Sequence, residues 1–154
     1  MRTRKVVAAP IVTIATVLVL VQQALAVCSI STTGVNFGNY DSTAASPNDS
    51  TGSVTYRCNR KDPITISLND GIWGNIAQRK MRSVSGDELS YSLYKDAART
   101  EVWGGAGGQL YSDPDPLGRG AGDAVTVPIY ARIFPRQDVG AGTYSDSITV
   151  TINW

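Results

Sequence analysis

The sequence contains no histidine. That absence excludes histidine-centred triads and imidazole general bases, and it removes the ligand on which most catalytic zinc sites depend. Two cysteines are too few for a four-thiolate metal site, and glutamate occurs only twice, as Glu88 and Glu101. Charge is sparse as well: 18% of the 154 residues are charged and the formal net charge is +1. So even a balance argues against nucleic acid as the partner. No Gly-x-Ser-x-Gly elbow and no phosphate loop ending in Gly-Lys-Ser/Thr occurs. The run Gly104-Gly105-Ala106-Gly107-Gly108 joins no strand to a helix, so it is not a dinucleotide fingerprint. Neither a cofactor nor a small-molecule substrate is expected, and the chain does not read as an enzyme.

One long apolar run is present, at the start. Arg2, Arg4 and Lys5 precede Val6 to Val21, an uncharged stretch of 16 residues, and Ala24-Leu25-Ala26 supplies a small-x-small cleavage pattern. Residues 1–26 are therefore expected to be a secretory signal peptide and residues 27–154 the mature domain. The run falls short of the roughly 20 apolar residues of a membrane span, the competing reading. A second rival is lipidation at Cys28, since Leu25-Ala26-Val27-Cys28 approaches a lipobox, with bulky Val27 where that motif wants a small residue. Cleavage takes the 14 basic residues to 11 against 13 acidic ones, a mature net charge of −2.

Export places the cysteines in an oxidising compartment, where Cys28 and Cys58 are expected to pair rather than remain free thiols. The alternation of apolar and polar residues points the same way. Cys28, Ile30 and Thr32 share one face of a first strand, and Val54, Tyr56 and Cys58 share a face of a second. Antiparallel pairing brings the two cysteines together. Further period-two runs are Ile64-Ile66-Leu68, Leu89-Tyr91-Leu93, Val125 to Ile133, and a last one in which Tyr144, Ile148, Val150, Ile152 and Trp154 face one way. Turn residues separate them, as at Asn69-Asp70-Gly71 and Gly140-Ala141-Gly142. Lys95 to Arg99 reads as at most one helical turn. Gly104 to Gly122, with seven glycines, reads as a long loop, and Pro128 marks an edge, a bulge or a gap in a ladder. The expected fold is all-β, a sandwich of about seven short strands. The last strand reads as having an open edge, an aggregation hazard unless something pairs with it.

Candidate chemistry is thin. Glu88 or Glu101 with an aspartate matches a glycosidase pair in composition only, and solvated surface is the better reading. Asp113, Asp115 and Asp123 lack calcium-loop spacing. Arg79, Lys80 and Arg82 form a small basic cluster, interrupted by acids nearby and so not read as a nucleic-acid stripe. Asn48-Asp49-Ser50 has the form of a glycosylation sequon. Trp73, Trp103 and Tyr111 lie near Gly-rich turns and are candidates for stacking on sugars, against the plainer reading that they fill the core.

Several segments, in order, carry a resemblance: Cys28 followed by Phe37-Gly38-Asn39-Tyr40; Gly52 to Cys58; Arg79-Lys80-Met81; Leu89-Ser90-Tyr91-Ser92-Leu93-Tyr94-Lys95-Asp96-Ala97-Ala98-Arg99-Thr100 with Trp103-Gly104; Pro128-Ile129-Tyr130-Ala131-Arg132-Ile133; Gly142-Thr143-Tyr144-Ser145-Asp146; and Thr149-Val150-Thr151. Together they resemble the spore coat protein U domain family, the pilins of archaic chaperone–usher systems. The resemblance implies an immunoglobulin-like sandwich that lacks its final strand. It implies a hydrophobic groove, filled first by a periplasmic chaperone and then, at an outer-membrane usher, by a donor strand from the neighbouring pilin subunit. The implied destination is a surface fibre outside a bacterium with an outer membrane. Ile30 on the first strand and Ile148, Val150 and Ile152 on the last are the expected groove residues. Four apolar donor side chains at about 1.5–3 kcal/mol each would supply about 6–12 kcal/mol, comparable with the stability of a whole small domain. Polymerising members carry a donor segment before the first cysteine. Cleavage after Ala26 leaves only Val27 there, which gives the expectation of a terminal subunit. A stand-alone secreted module that binds carbohydrate or another surface ligand is the alternative.

Overall fold

The computed structural model describes residues 28–59, 61–117 and 122–154. The expected signal peptide lies outside the described residues. Nine strands form among the described residues: β1 (Cys28–Thr33), β2 (Asn48–Cys58), β3 (Ile64–Leu68), β4 (Arg79–Ser83), β5 (Glu88–Tyr94), β6 (Tyr111–Asp113), β7 (Val125–Ile133), β8 (Tyr144–Ser145) and β9 (Val150–Asn153). Six of them build one sheet in the order β1-β2-β7-β5-β4-β8, and three build a second in the order β6-β3-β9. All the pairings are antiparallel. The fold is the all-β sandwich that the alternation leads one to expect.

The core lies between the sheets and follows the period-two pattern. Val54 and Tyr56 on β2, Leu89, Tyr91 and Leu93 on β5, and Val125, Val127, Ile129, Ala131 and Ile133 on β7 turn inward and are buried. Ile64, Ile66 and Leu68 on β3 meet them from the second sheet with no exposure at all. Side chains of alternate strand residues point to opposite faces, so each inward set is fixed by register.

Three local expectations change, and Pro128 resolves to one of its expected alternatives, a gap in a ladder. The final alternating run is not one strand: β8 belongs to the larger sheet and β9 to the smaller, so the chain crosses between sheets at residues 146–149. The Gly-rich stretch is partly built, with a 3₁₀ turn at Gly107–Gln109 and then β6 on the edge of β3. Lys95 Nζ ties that stretch down by donating to the carbonyls of Gly108 and Leu110. Residues 95–99 form a turn rather than a helical one: the Asp96 carboxylate accepts the Thr100 and Glu101 amides, and Arg99 takes a left-handed φ of 59°. Pro128 is not on an edge strand, since β7 lies between β2 and β5. It occupies the half of β7 whose pairing runs to β2 alone, where a missing donor is tolerated.

Two buried side chains lock the sheets together. Trp103, fully buried, donates from Nε1 to the Ile66 carbonyl at 3.0 Å. Arg79 is also fully buried, and its guanidinium reaches the carbonyls of Asn69 (2.9 Å), Trp103 (2.8 Å), Leu68 (3.4 Å) and Ile76 (3.5 Å). Burial pushes its pKa down, and the neighbouring Tyr91, Asp146 and Asp70 oppose that. The fork therefore joins the ends of β3 and β4 to the Trp103 segment. Arg79→Met keeps the length and removes the donors, leaving buried carbonyls unpaired. A loss of about 2–4 kcal/mol is expected, read as the shift in the chemical-denaturation midpoint at constant slope.

Candidate functional site

The two sheets are unequal, and the inequality makes the site. Six strands face three. β9 pairs with β3 on one side, and β1 pairs with β2 on one side; the other edge of each carries no strand among the described residues. Between these edges lies a cavity of about 320 Å³. Its floor is the inner face of the larger sheet: Met81, Tyr91, Leu93 and Ile129. One wall is the end of β1 with Gly34, Val35 and Phe37, and the other runs from Tyr144 through Asp146 and Ile148 to Val150. A second cavity, of about 590 Å³, shares Val35, Phe37, Met81 and Tyr144 with the first. It continues between residues 35–42 and 139–144 over Leu89 and Ile133.

Burial along the groove differs from burial in the core. Cys28 and Ile30 on β1, and Ile148, Val150 and Ile152 at the other wall, pack on the core but are only half-buried. Their counterparts on β2, β3, β5 and β7 are closed off. Apolar side chains on an alternating face, half covered beside a strand edge with no partner among the described residues, mark a core left partly open.

The walls are held by specific contacts. At the first, β1 and β2 align Cys28 with Cys58, Ile30 with Tyr56 and Thr32 with Val54. Cys28 and Cys58 form a disulfide. Gly52 lets the chain leave β1 closely, since a Cβ there would lie 2.6 Å from the Thr33 carbonyl oxygen and 3.0 Å from Val35. At the second wall, Asp146 pins the crossing between sheets. Its Oδ1 accepts the amides of Ile72 (2.9 Å) and Ser147 (2.8 Å), and its Oδ2 accepts the Tyr91 hydroxyl (2.7 Å). Burial, then the bond to Asp146, push the Tyr91 pKa far up, so it remains a donor. Gly71, at φ +80°, leaves the room: a Cβ there would run into the Asp146 carboxylate. Asn69 Oδ1 takes the Thr149 amide at 2.8 Å.

The four groove residues expected from alternation fall on these walls in two groups. Ile148 and Val150 line the first cavity. Ile30 stands on β1 opposite Tyr56, and Ile152 on β9 opposite Ile66; both pack against the core outside the cavity's lining. Tyr144, from the same alternating face, lines the site too; so do Met81, Phe37 and Asp146, which alternation alone does not single out. Asp146 gains its role only from the sheet crossing.

Other sequence candidates settle elsewhere. Trp103 is buried, which overturns it as a sugar-stacking residue, and Tyr111 packs between Trp103 and Tyr56. Trp73 is exposed, with the Arg82 guanidinium 4.6 Å from its ring centre. Glu88 pairs with Lys80 and Glu101 with Lys95, at opposite ends of β5. Asp113 accepts the Tyr56 hydroxyl and the Asp115 amide, while Asp123 is exposed. Asn48 donates to the carbonyls of Phe37 and Asn39. No group of three metal-ligating side chains occurs among the described residues, and no helix there is long and apolar enough to cross a membrane.

Comparison with known proteins gives the architecture a lineage. A family model, the Spore Coat Protein U domain, matches residues 13–151. Protein U of Myxococcus xanthus is 33% identical over 132 residues, covering 78% of this chain and 71% of its own. The fold is similar to a chain of the CsuC–CsuE chaperone–tip adhesion subunit pre-assembly complex, from the archaic chaperone-usher Csu pili of Acinetobacter baumannii. The TM-score is 0.62 with 28% identity over 84% of this chain, and the match spans 40% of that longer chain.

The disulfide anchors the free-edged strand that forms one wall. Cys28→Ser with Cys58→Ser is expected to cost about 3–4 kcal/mol for a separation of 30 residues. Amide hydrogen exchange should speed up first in β1, ahead of β3 and β7; an unchanged β1 would show that the ladder to β2 suffices alone.

Proposed function

Because the chain belongs to the Spore Coat Protein U domain family, we propose that it is a structural subunit of a secreted surface fibre, assembled by donor-strand complementation. In this reading the groove is the acceptor site. A periplasmic chaperone covers it first, and at an outer-membrane usher a strand from a neighbouring subunit replaces the chaperone. The observation that carries the proposal is the gap beside β9: an unpaired edge next to an apolar cavity, floored by Leu93 and Ile129 and walled by Ile148 and Val150. A strand added there supplies main-chain hydrogen bonds to the edge and side chains to the cavity. The likeness to a chain of a chaperone–subunit pre-assembly complex supports a chaperone-bound stage before assembly.

The groove residues of this proposal are Ile148 and Val150 in the cavity, with Ile30 and Ile152 extending its apolar walls. About four apolar donor side chains contribute on the order of 6–12 kcal/mol, as much as a small domain's whole stability. A subunit without a complementing strand is accordingly marginal. The finer reading, a terminal place in the fibre, follows if the mature protein starts at Val27 and brings no strand of its own. The N-terminal sequence of the protein in isolated fibres tests it: a mature start well upstream of Ala24 removes it.

Periplasmic expression with and without a co-expressed chaperone tests the main reading, with native mass spectrometry of what purifies. A 1:1 complex is expected, with little soluble subunit otherwise. Val150→Arg places a charge in the cavity and should lower the recovered complex at least about tenfold. A stable lone monomer with its disulfide formed would overturn the proposal in favour of a self-contained binding module.

A further inference from the structure

We propose that Asp146 makes the groove selective for a strand with a cationic or hydrogen-bond-donating side chain four residues from a large aliphatic one. The inference rests on the acceptor-groove reading and names the chemistry of the segment that fits. Among the described residues, Asp146 is the one carboxylate that lines the first cavity. The rest of that lining is apolar, hydroxyl-bearing or glycine. A carboxylate at the rim of an apolar groove is covered when a strand docks, and covering it is costly unless the strand answers it.

The carboxylate has capacity left. It accepts three hydrogen bonds, from Ile72, Ser147 and Tyr91, of about four that a carboxylate can take. Arg79 feels its charge but directs its own donors to carbonyl oxygens. No ion pair to Asp146 forms among the described residues. A docking strand is thus the natural source of the fourth donor. A lysine, arginine, asparagine or hydroxyl serves; a glutamate or aspartate sets two like charges together in a partly dry site, and an aliphatic residue strips water without replacing it.

Spacing turns this into a pattern. Asp146 and Ile148 precede β9, in the crossing between the sheets, but burial still alternates from Tyr144 to Ile152, and Asp146, Ile148 and Val150 all line the cavity. A strand laid beside them has its inward side chains at positions two and four apart. The residue opposite Asp146 is therefore two from the residue beside Ile148 and four from the one beside Val150.

The test appends a complementing strand to the full chain through a flexible linker. The strand reads X-Thr-Ile-Thr-Val-Thr-X, so that either strand direction sets X beside Asp146, with X as Lys, Leu or Glu. Urea unfolding gives the folding equilibrium constant of each. The Lys form is expected to exceed the Glu form by about tenfold or more, with Leu between. The same Lys-for-Glu exchange at the central, outward-facing Thr should give less than about a threefold gap, as for an exposed charge. With Asp146→Asn, the gap at X should close. Equal stabilities for Lys and Glu at X, or an equal gap at the outward position, overturn the proposal while leaving the acceptor groove standing. If no appended strand stabilises the chain over its unextended form, the groove itself is not an acceptor, and both readings fall.

Discussion

Three strands cannot cover six. The inward face of the larger sheet spans β2, β7, β5 and β4; the smaller sheet, ending at β9, buries Leu93 and Ile129 but leaves Met81, Ile148 and Val150 only half-buried around a cavity. Apolar surface left open to water is a standing cost, and a folded chain ordinarily closes it by packing the layers together. The rest of the architecture is best understood as what prevents that closure. Cys28–Cys58 fixes one wall, and the Asp146 crossing fixes the other. Neither wall is free to slide over the floor.

The same contacts explain why the gap keeps a shape. Arg79 and Trp103 join β3, β4 and the Trp103 segment through buried hydrogen bonds, so the smaller sheet is held at a set position over the larger. Hydrogen bonds of this kind specify one arrangement because leaving their partners unmet is expensive. In the acceptor role proposed for it, a groove bounded by fixed backbone edges would read an incoming strand twice. The β9 edge would read its main chain, which any sequence can satisfy. The cavity would read every second side chain, which only some sequences can. Affinity and selectivity would then come from different parts of one site.

Much of this was legible in the chain itself. β2, β3, β5 and β7 have both a clean alternation and a buried face, and for them pattern and structure agree: Val54 and Tyr56, Ile64 to Leu68, Leu89 to Leu93, Val125 to Ile133. The pairing of Cys28 with Cys58 followed from the same register. The last alternating run misled, because period two says which residues share a face but not which sheet owns the strand. Asp146 breaks that run by bonding to Ile72, Ser147 and Tyr91, and two of those partners lie more than 50 residues away in sequence. Arg79 looked like part of a surface basic cluster, since nothing local announces that a guanidinium will be wrapped by carbonyls. β6 hid in a Gly-rich stretch because its stability comes from β3 and from Lys95 rather than from its own three residues.

An open edge beside an apolar groove is ordinarily a defect, since any sticky segment can add to it. What separates a receptor from a defect is whether the site can refuse. A wholly apolar groove refuses poorly: it ranks strands by hydrophobicity, and the most aggregation-prone sequence wins. One carboxylate among the lining residues changes that ranking, because a purely aliphatic strand strips the remaining water from Asp146 without supplying its fourth donor. The polar residue lowers the groove's affinity for hydrophobic segments in general and spares the segment that carries a matching donor. A half-open core can therefore persist in a folded chain, provided that its walls are fixed and its lining is not apolar throughout.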